Sequence, residues 1–247
     1  MKSVPVYMFH AIGTGAALEG ADPHYGLSLS KFGELISKLG SGTSLKQVLQ
    51  NDSQEQAIFT FDDGHRSNYQ AAKILKFEFD SQADFFINTN NVGKPNFLNW
   101  DQVREMQSWG MSIQSHGHEH VYLSDLTKEQ QRYQLQTSKS ILENELGENV
   151  SILAPPGGRF NQDTQDLITE LGYEHLTISK PGKWCGQSVS PRVAVLFNSN
   201  TDQLASCQNA FSIFLLKQEI KYQVTGLAKQ LLGNESYDAL RSKILRV

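Results

Sequence analysis

Short apolar runs of four to six residues alternate along the chain with longer stretches in which apolar positions recur every three or four residues. The runs cover residues 4–9, 57–61, 83–87, 111–114, 150–154, 175–179 and 193–197. Few of them alternate strictly between apolar and polar, which is the pattern of strands covered on both faces. The stretches between them carry helix boundaries. One runs from Ser30 to Leu39 and stops at Gly40, a second (68–77) follows an Asp-Gly turn, and a third (101–109) stops at Gly110. Thr127 caps a long helix that reaches about Leu146 and ends at Gly147, and Asn161 opens another that ends at Gly172. From Leu204 onward the pattern predicts two helices, the last over about 228–245 with an interruption at Gly233-Asn234. Strands alternating with helices predict repeated βα units around a parallel sheet, and seven strand candidates nearly fill a barrel.

Nothing in the composition divides the chain. Residues 1–247 are expected to form a single domain, with the barrel over about 4–200 and a helical tail over about 201–247. Apolar residues at 39% and charged residues at 19% describe an ordinary globular protein rather than a disordered one. A formal net charge of −4 without a basic run argues against nucleic acid and anionic membranes as partners. Cys185 and Cys207 match neither a metal-binding spacing nor a disulfide framework and read as free thiols. No run approaches a membrane span, and the first apolar run is too short for a signal-peptide core, so the expected location is the cytoplasm. The sequence leaves the oligomeric state open.

The chemistry lies at the carboxyl ends of the strand candidates. His10 follows the first, Asp62-Asp63-Gly64 the second, His116-Gly-His-Glu-His120 the fourth and Pro155-Pro156-Gly157 the fifth. A parallel barrel opens all these ends on one rim, so clusters distant in sequence converge there. Adjacent carboxylates repel unless a cation or a proton relieves them, although Asp-Asp-Gly is by itself also an ordinary turn. His116 and His120 can face one centre if the loop makes a helical turn, with His118 then pointing away. Two imidazoles and one carboxylate suit Zn²⁺ or a similar borderline metal and leave positions open for water and substrate.

The segments Thr60-Phe-Asp-Asp-Gly64 and Ser115-His-Gly-His-Glu-His120 resemble the first two motifs of the polysaccharide deacetylases, the NodB-homology enzymes of carbohydrate esterase family 4. Ala83-Asp-Phe-Phe-Ile87 and Leu98-Asn-Trp-Asp-Gln-Val-Arg-Glu-Met106 fit the stretch between them, and the likeness runs from about Val4 to about Val195. The resemblance implies a distorted (β/α)₇ barrel with C-terminal helices and metal-dependent de-N-acetylation. It makes Asp62 the catalytic base and Asp63, His116 and His120 the ligands of one divalent metal, zinc first, with cobalt, nickel or manganese as alternatives.

Two departures from the family pattern matter. Ala154-Pro155-Pro156-Gly157-Gly158 stands where the family has Arg-x-Pro-Tyr-Gly, so Arg159 or Arg192 becomes the candidate cation for orienting the base. The backbone N–H of Gly157 is the candidate oxyanion donor. The usual Leu-x-x-His-Asp motif is also absent, and His175 falls inside a strand candidate and reads as a core residue. The start Val6-Tyr-Met-Phe-His10-Ala-Ile resembles the branch with an aromatic-His signature on the first strand, which includes poly-N-acetylglucosamine deacetylases. That makes His10 the candidate general acid, kept protonated by a nearby anion. The expected partner is an N-acetylated glycan or glycan precursor. Cleavage of another amide, such as a formamide on a lipid-linked sugar or a small cyclic ureide, stays open, as does glycan binding by a decayed site.

Overall fold

The structure is a computed structural model that describes residues 3–51 and 57–232. Its centre is a parallel sheet built from β1 (Val4–Phe9), β4 (Ile58–Phe61), β5 (Asp84–Ile87), β6 (Ser112–Ser115), β7 (Ile152–Leu153), β8 (His175–Ile178), β10 (Val189–Pro191) and β11 (Val193–Ala194). The order across the sheet is β10, β8, β7, β6, β5, β4, β1, β11. Only Arg192 separates β10 from β11, yet β10 pairs with β8 at one edge and β11 with β1 at the other. One extended segment therefore joins both edges and closes the sheet, save for the break at Arg192, into a seven-stranded barrel. The expected distorted (β/α)₇ architecture is what the chain adopts. Short β9 (Lys183–Trp184) adds antiparallel to the start of β1, and β2 (Ala11–Ile12) pairs with β3 (Gly26–Leu27) outside the barrel.

Strand alternation explains why these runs lack a polar face. Val4, Val6, Ile58, Phe86, Ile152 and Ala154 pack together inside the barrel, whereas Tyr7, Phe9, Phe59, Phe61, Phe85 and Leu153 pack outward under the helices. Along the outer face, Phe9 stacks on Phe61 at 5.0 Å and Phe61 on Phe85 at 4.7 Å, which ties β1, β4 and β5 in register.

The helices follow their sequence signals closely. Ser28 caps α1 (Leu29–Leu39), and α3 (Asn68–Phe79) runs slightly past its expected end. Reciprocal capping boxes start α4 (Trp100–Ser108) at Asn99, α5 (Lys128–Leu146) at Thr127 and α6 (Gln162–Glu170) at Asn161. Gly147 ends α5 with φ 68°, a conformation that glycine adopts without penalty.

Several elements lie outside the sequence reading: short β2, β3, β9 and β10, and helix α2 (Leu45–Asn51). Helix α2 is capped from a distance by Asp84 of β5, which accepts from the backbone N–H of Leu45 at 2.5 Å and of Lys46 at 3.3 Å. Burial pushes the Asp84 carboxyl up to about 6. At the C-terminal side lie α7 (Thr201–Ala205) and α8 (Ile213–Leu232), the latter starting well before residue 228; the rest of the expected helix over 228–245 lies outside the described residues. No helix among the described residues is long and apolar enough to cross a membrane.

Candidate metal centre and active site

The inward parity of each strand continues one step beyond its carboxyl end. Residues 4, 6, 8 and 10 share a face in β1, 58, 60 and 62 in β4, 84, 86 and 88 in β5, and 112, 114 and 116 in β6. The ladder supports this extension: Asp62 N–H donates to Phe9 O at 3.0 Å and His116 N–H to Ile87 O at 3.0 Å. His10, Asp62, Asn88 and His116 are thus the top inward positions of four neighbouring strands.

Asp62 stays in strand register and meets Arg192. The two carboxylate oxygens accept from Nη1 at 2.6 Å and from Nη2 at 2.8 Å, with both residues buried. Nη1 also reaches Thr60 Oγ1 at 3.3 Å, and the guanidinium lies 5.5 Å from the Phe86 ring centroid. Burial raises the carboxyl of Asp62, but the Arg192 charge, aided by His116, the Arg192 hydrogen bonds and His10, outweighs it and holds the group below its ordinary range. The break between β10 and β11 is what places this arginine in the barrel.

Asp63 turns away from its neighbour because its backbone is left-handed, with φ 73°, followed by Gly64 at φ 67°. Its Oδ1 lies 3.2 Å from His116 Nε2 and 3.1 Å from His120 Nε2. His116 Nδ1 is 2.6 Å from the carbonyl oxygen of Ala154, which can only accept, so Nδ1 carries a proton. In the neutral imidazole Nε2 then presents a lone pair toward a carboxylate oxygen. With His120 and the Asp63 carboxylate, whose ligand atoms all lie within 4.8 Å of one another, it forms a donor set that fits a divalent cation. In the bare protein, burial raises the Asp63 carboxyl but the two histidines and His10 hold it well below its ordinary range; burial lowers His120, but Asp63 raises it further.

The histidines come together by a route different from the expected helical turn. No helix forms between them: Gly117 has φ 76° and His120 φ 56°, and the loop is pinned through its backbone. Thr89 N–H donates to Gly117 O, Asn90 N–H to His118 O, the Asn88 amide to His116 O, and Glu119 N–H to Gln134 Oε1. His118 faces elsewhere, with Nδ1 2.8 Å from Thr89 Oγ1 and its ring edge-on to Tyr133.

A cavity of about 220 Å³ opens beside the centre, lined by His10, Asp63 and His120 together with Tyr25, Asn88 and Phe97 among others. The His10 ring lies 4.2 Å from that of Tyr25, and its buried Nδ1 has no hydrogen-bond partner among the described residues. Burial lowers His10, and although Asp63 and Asp62 push it up, the net shift is downward. The expected anions are present but do not outweigh desolvation. Two further histidines are occupied differently. His65, also on the cavity wall, has ring nitrogens against Ser67 Oγ and Glu19 O, and His175 is buried against Ser190 with its value lowered to about 4.

The structure separates the two arginine candidates. Arg192 engages Asp62, whereas the Arg159 guanidinium lies over Tyr122, 4.1 Å from the ring centroid. Gly157 sits in a short turn with φ 61°, where a Cβ would come within 2.6 Å of Tyr122 Cε1, and neither Gly157 nor Arg159 lines the cavity. Pro156 intervenes beside the metal-centre loop, its Cγ 3.9 Å from where a Cβ on Gly117 would sit. Asn88 is one of several cavity residues that the motifs do not single out; strand parity, counted two residues past Phe86, is the signal that finds it.

Comparison with known proteins agrees with the barrel fold and with the family resemblance. Residues 50–176 match the family model "Polysaccharide deacetylase". YxkH of Bacillus subtilis (strain 168), a protein named for the same deacetylase family, is 27% identical over 182 residues, covering 72% of this chain and 65% of that protein. This chain thus spans somewhat under two thirds of that relative. The deacetylase PplD of Streptococcus pyogenes, solved in complex with acetate, shares the fold with a TM-score of 0.76 over 84% of this chain and 99% of that one, at 24% identity. BC0361, a polysaccharide deacetylase from Bacillus cereus, superposes with a TM-score of 0.74 at 25% identity, over 84% of this chain and 69% of that one. With the family model matching half of its length, this chain belongs to the polysaccharide deacetylase family.

Proposed function

We propose that the protein removes N-acetyl groups from an N-acetylated glycan, releasing acetate and leaving a free amine, with one divalent metal held by Asp63, His116 and His120. The observation that carries this reading is the division of labour between adjacent aspartates, one paired with Arg192 inside the barrel and the other turned onto two histidines. When bound there, a divalent metal supplies Lewis acidity to the acetamide carbonyl and to a water. Zinc suits the two-nitrogen, one-oxygen set best.

Asp62 is the base in this scheme. Arg192 keeps it ionised at neutral pH and fixes both its oxygens, so it is ready to take the proton of the attacking water. The amide nitrogen leaves only after protonation, and His10 is the proposed acid because it lines the cavity with no hydrogen-bond partner on Nδ1 among the described residues. Its lowered value makes it a strong donor once charged, and Asp62 and Asp63 offset part of the cost of charging it. Tyr25 and Phe97 on the cavity wall offer apolar faces for a sugar ring.

The test is to incubate metal-loaded protein with N-acetylglucosamine oligomers and measure acetate and free amine. The expected result is equimolar release that stops on chelation and returns with zinc. Absence of release from any N-acetylated oligosaccharide by metal-loaded protein would overturn the proposal.

A further inference from the structure

Asn88 is the fourth inward residue at the barrel mouth, and the scheme above gives it no task. It is 1% exposed and lines the same cavity as His10, Asp63 and His120. Its amide orientation is set by chemistry: Nδ2 lies 2.5 Å from the carbonyl oxygen of His116, which can only accept, so the NH₂ end must face it. The opposite end, Oδ1, is then a buried acceptor, and no group among the described residues donates to it. Most buried acceptors are satisfied, and leaving one unmatched costs stability. Because Asn88 lines the cavity, a ligand seated there can bring a donor to this buried, unmatched acceptor.

Resting on the deacetylase reading, we propose that Asn88 Oδ1 accepts the N–H of the substrate acetamide and thereby selects secondary amides over esters. A secondary acetamide holds its N–H and its carbonyl oxygen in one plane, and in the trans form the two point in opposite directions. Anchoring the N–H on Asn88 directs the carbonyl oxygen away from β5, and the nitrogen lone pair that develops on attack stays open for protonation by His10. The second role of Asn88, bracing the His116 loop through Nδ2, serves the same geometry. Its position two residues beyond Phe86 on an inward-facing strand makes this a property of the barrel frame rather than of a mobile loop.

Asn88→Leu keeps the side-chain shape and removes the acceptor. Three substrates separate the roles: an N-acetylglucosamine oligomer, the same oligomer with its acetamides N-methylated so that no N–H remains, and p-nitrophenyl acetate. Rates are expressed per bound metal, which removes any effect of a loosened His116 loop on metal content. The expected result is a loss of about ten- to a hundredfold in kcat/KM on the secondary amide, the scale of one buried hydrogen bond. On the N-methylated amide and the ester any loss, which reports the missing brace on the His116 loop, should be at least about tenfold smaller than on the secondary amide, the cycle showing that excess only when both Asn88 and the N–H are present. Equal losses on all three substrates, or none on any, would overturn the proposal. The second readout is a structure of metal-loaded Asp62→Asn protein with the oligomer bound: the acetamide nitrogen should lie within about 3.2 Å of Asn88 Oδ1, and a nitrogen facing elsewhere overturns the assignment. Wild-type protein that releases no acetate from the secondary amide would mean instead that the deacetylase reading itself has failed.

Discussion

Replacing Arg192 with Met tests the link between the break in the last strand and the chemistry of Asp62. The guanidinium is about as buried as a side chain can be and donates to both oxygens of a carboxylate that is itself only 2% exposed. Methionine fills much of the volume but leaves the carboxylate unpaired. Removing one partner of a buried ion pair costs about 3–5 kcal/mol, and for a chain of this size each kcal/mol lowers Tm by roughly 2–4 °C, so the expected fall is roughly 6–20 °C. The effect should depend on pH with a definite sign. In the wild type, Asp62 sits below its ordinary value, so it contributes stability above the unfolded pKa that is lost as pH falls through the lower folded pKa. In Arg192→Met, burial prevails and the folded pKa rises above the unfolded one, so the penalty appears as pH rises through that window. The destabilisation measured by urea unfolding of chelated protein should therefore be larger at pH 7 than near pH 4. Asp62→Asn combined with Arg192→Met should recover most of the loss, because no unpaired charge remains. The acid limb of kcat/KM should also move to higher pH in Arg192→Met. A variant within about 1 kcal/mol of wild type at pH 7, the median for an exposed pair, or equally destabilised at both pH values, would refute the reasoning.

Asp62→Asn should keep its metal and lose at least about a hundredfold in turnover, the scale of a general base; wild-type turnover with metal bound would reassign the two aspartates. His10→Ala should lose activity heavily on acetamides, including N-methylated ones, and much less on p-nitrophenyl acetate, whose leaving group needs no proton; an equal loss on amide and ester would indicate positioning. His175 should govern part of the acid sensitivity. Its folded value of about 4 lies below the unfolded value of about 6.5. As pH falls through that interval the unfolded chain takes up the proton first, so stability drops by up to about 3 kcal/mol. Asp84, raised to about 6, acts with the opposite sign over much of the same range. His175→Gln should therefore flatten or reverse the pH slope of stability between about 4 and 6.5, and an unchanged slope in urea titrations would contradict this.

The barrel is legible in the sequence because its strands are buried on both faces, and runs such as 4–9 and 83–87 can hardly be anything else. The break that carries Arg192 is not. Val189-Ser-Pro191 is not among the apolar runs and pairs as a strand beside β8, a partner that no local pattern reveals. Helix α2 is similar: only Leu45 and Val48 of its seven residues are buried, and its cap comes partly from Asp84, 39 positions away from Leu45. Among the candidate site residues, His116 and His120 are found by residue type and spacing and Asp63 through the family resemblance, but the spacing argument supposes a helical turn where the chain uses two left-handed residues and a backbone clamp from the segment after β5. Arg159 is nearest in sequence to the altered motif yet lies on Tyr122, since the turn at Pro156–Gly158 carries it off the rim. Sequence proximity is a poor guide at a barrel mouth, where neighbours are supplied by other strands. Parity is a better one, and it places His10, Asp62, Asn88 and His116 together.

The central claim is that Asp63, His116 and His120 share one divalent metal beside Asp62. The most direct measurement is anomalous diffraction at the zinc edge from crystals of the zinc-loaded protein. The account predicts a single strong peak about 2.0–2.2 Å from an Asp63 carboxylate oxygen and from Nε2 of both histidines, with Asp62 still clasped by Arg192 and not bound to the metal. A peak elsewhere, or zinc taken by Asp62 in place of Asp63, would contradict it.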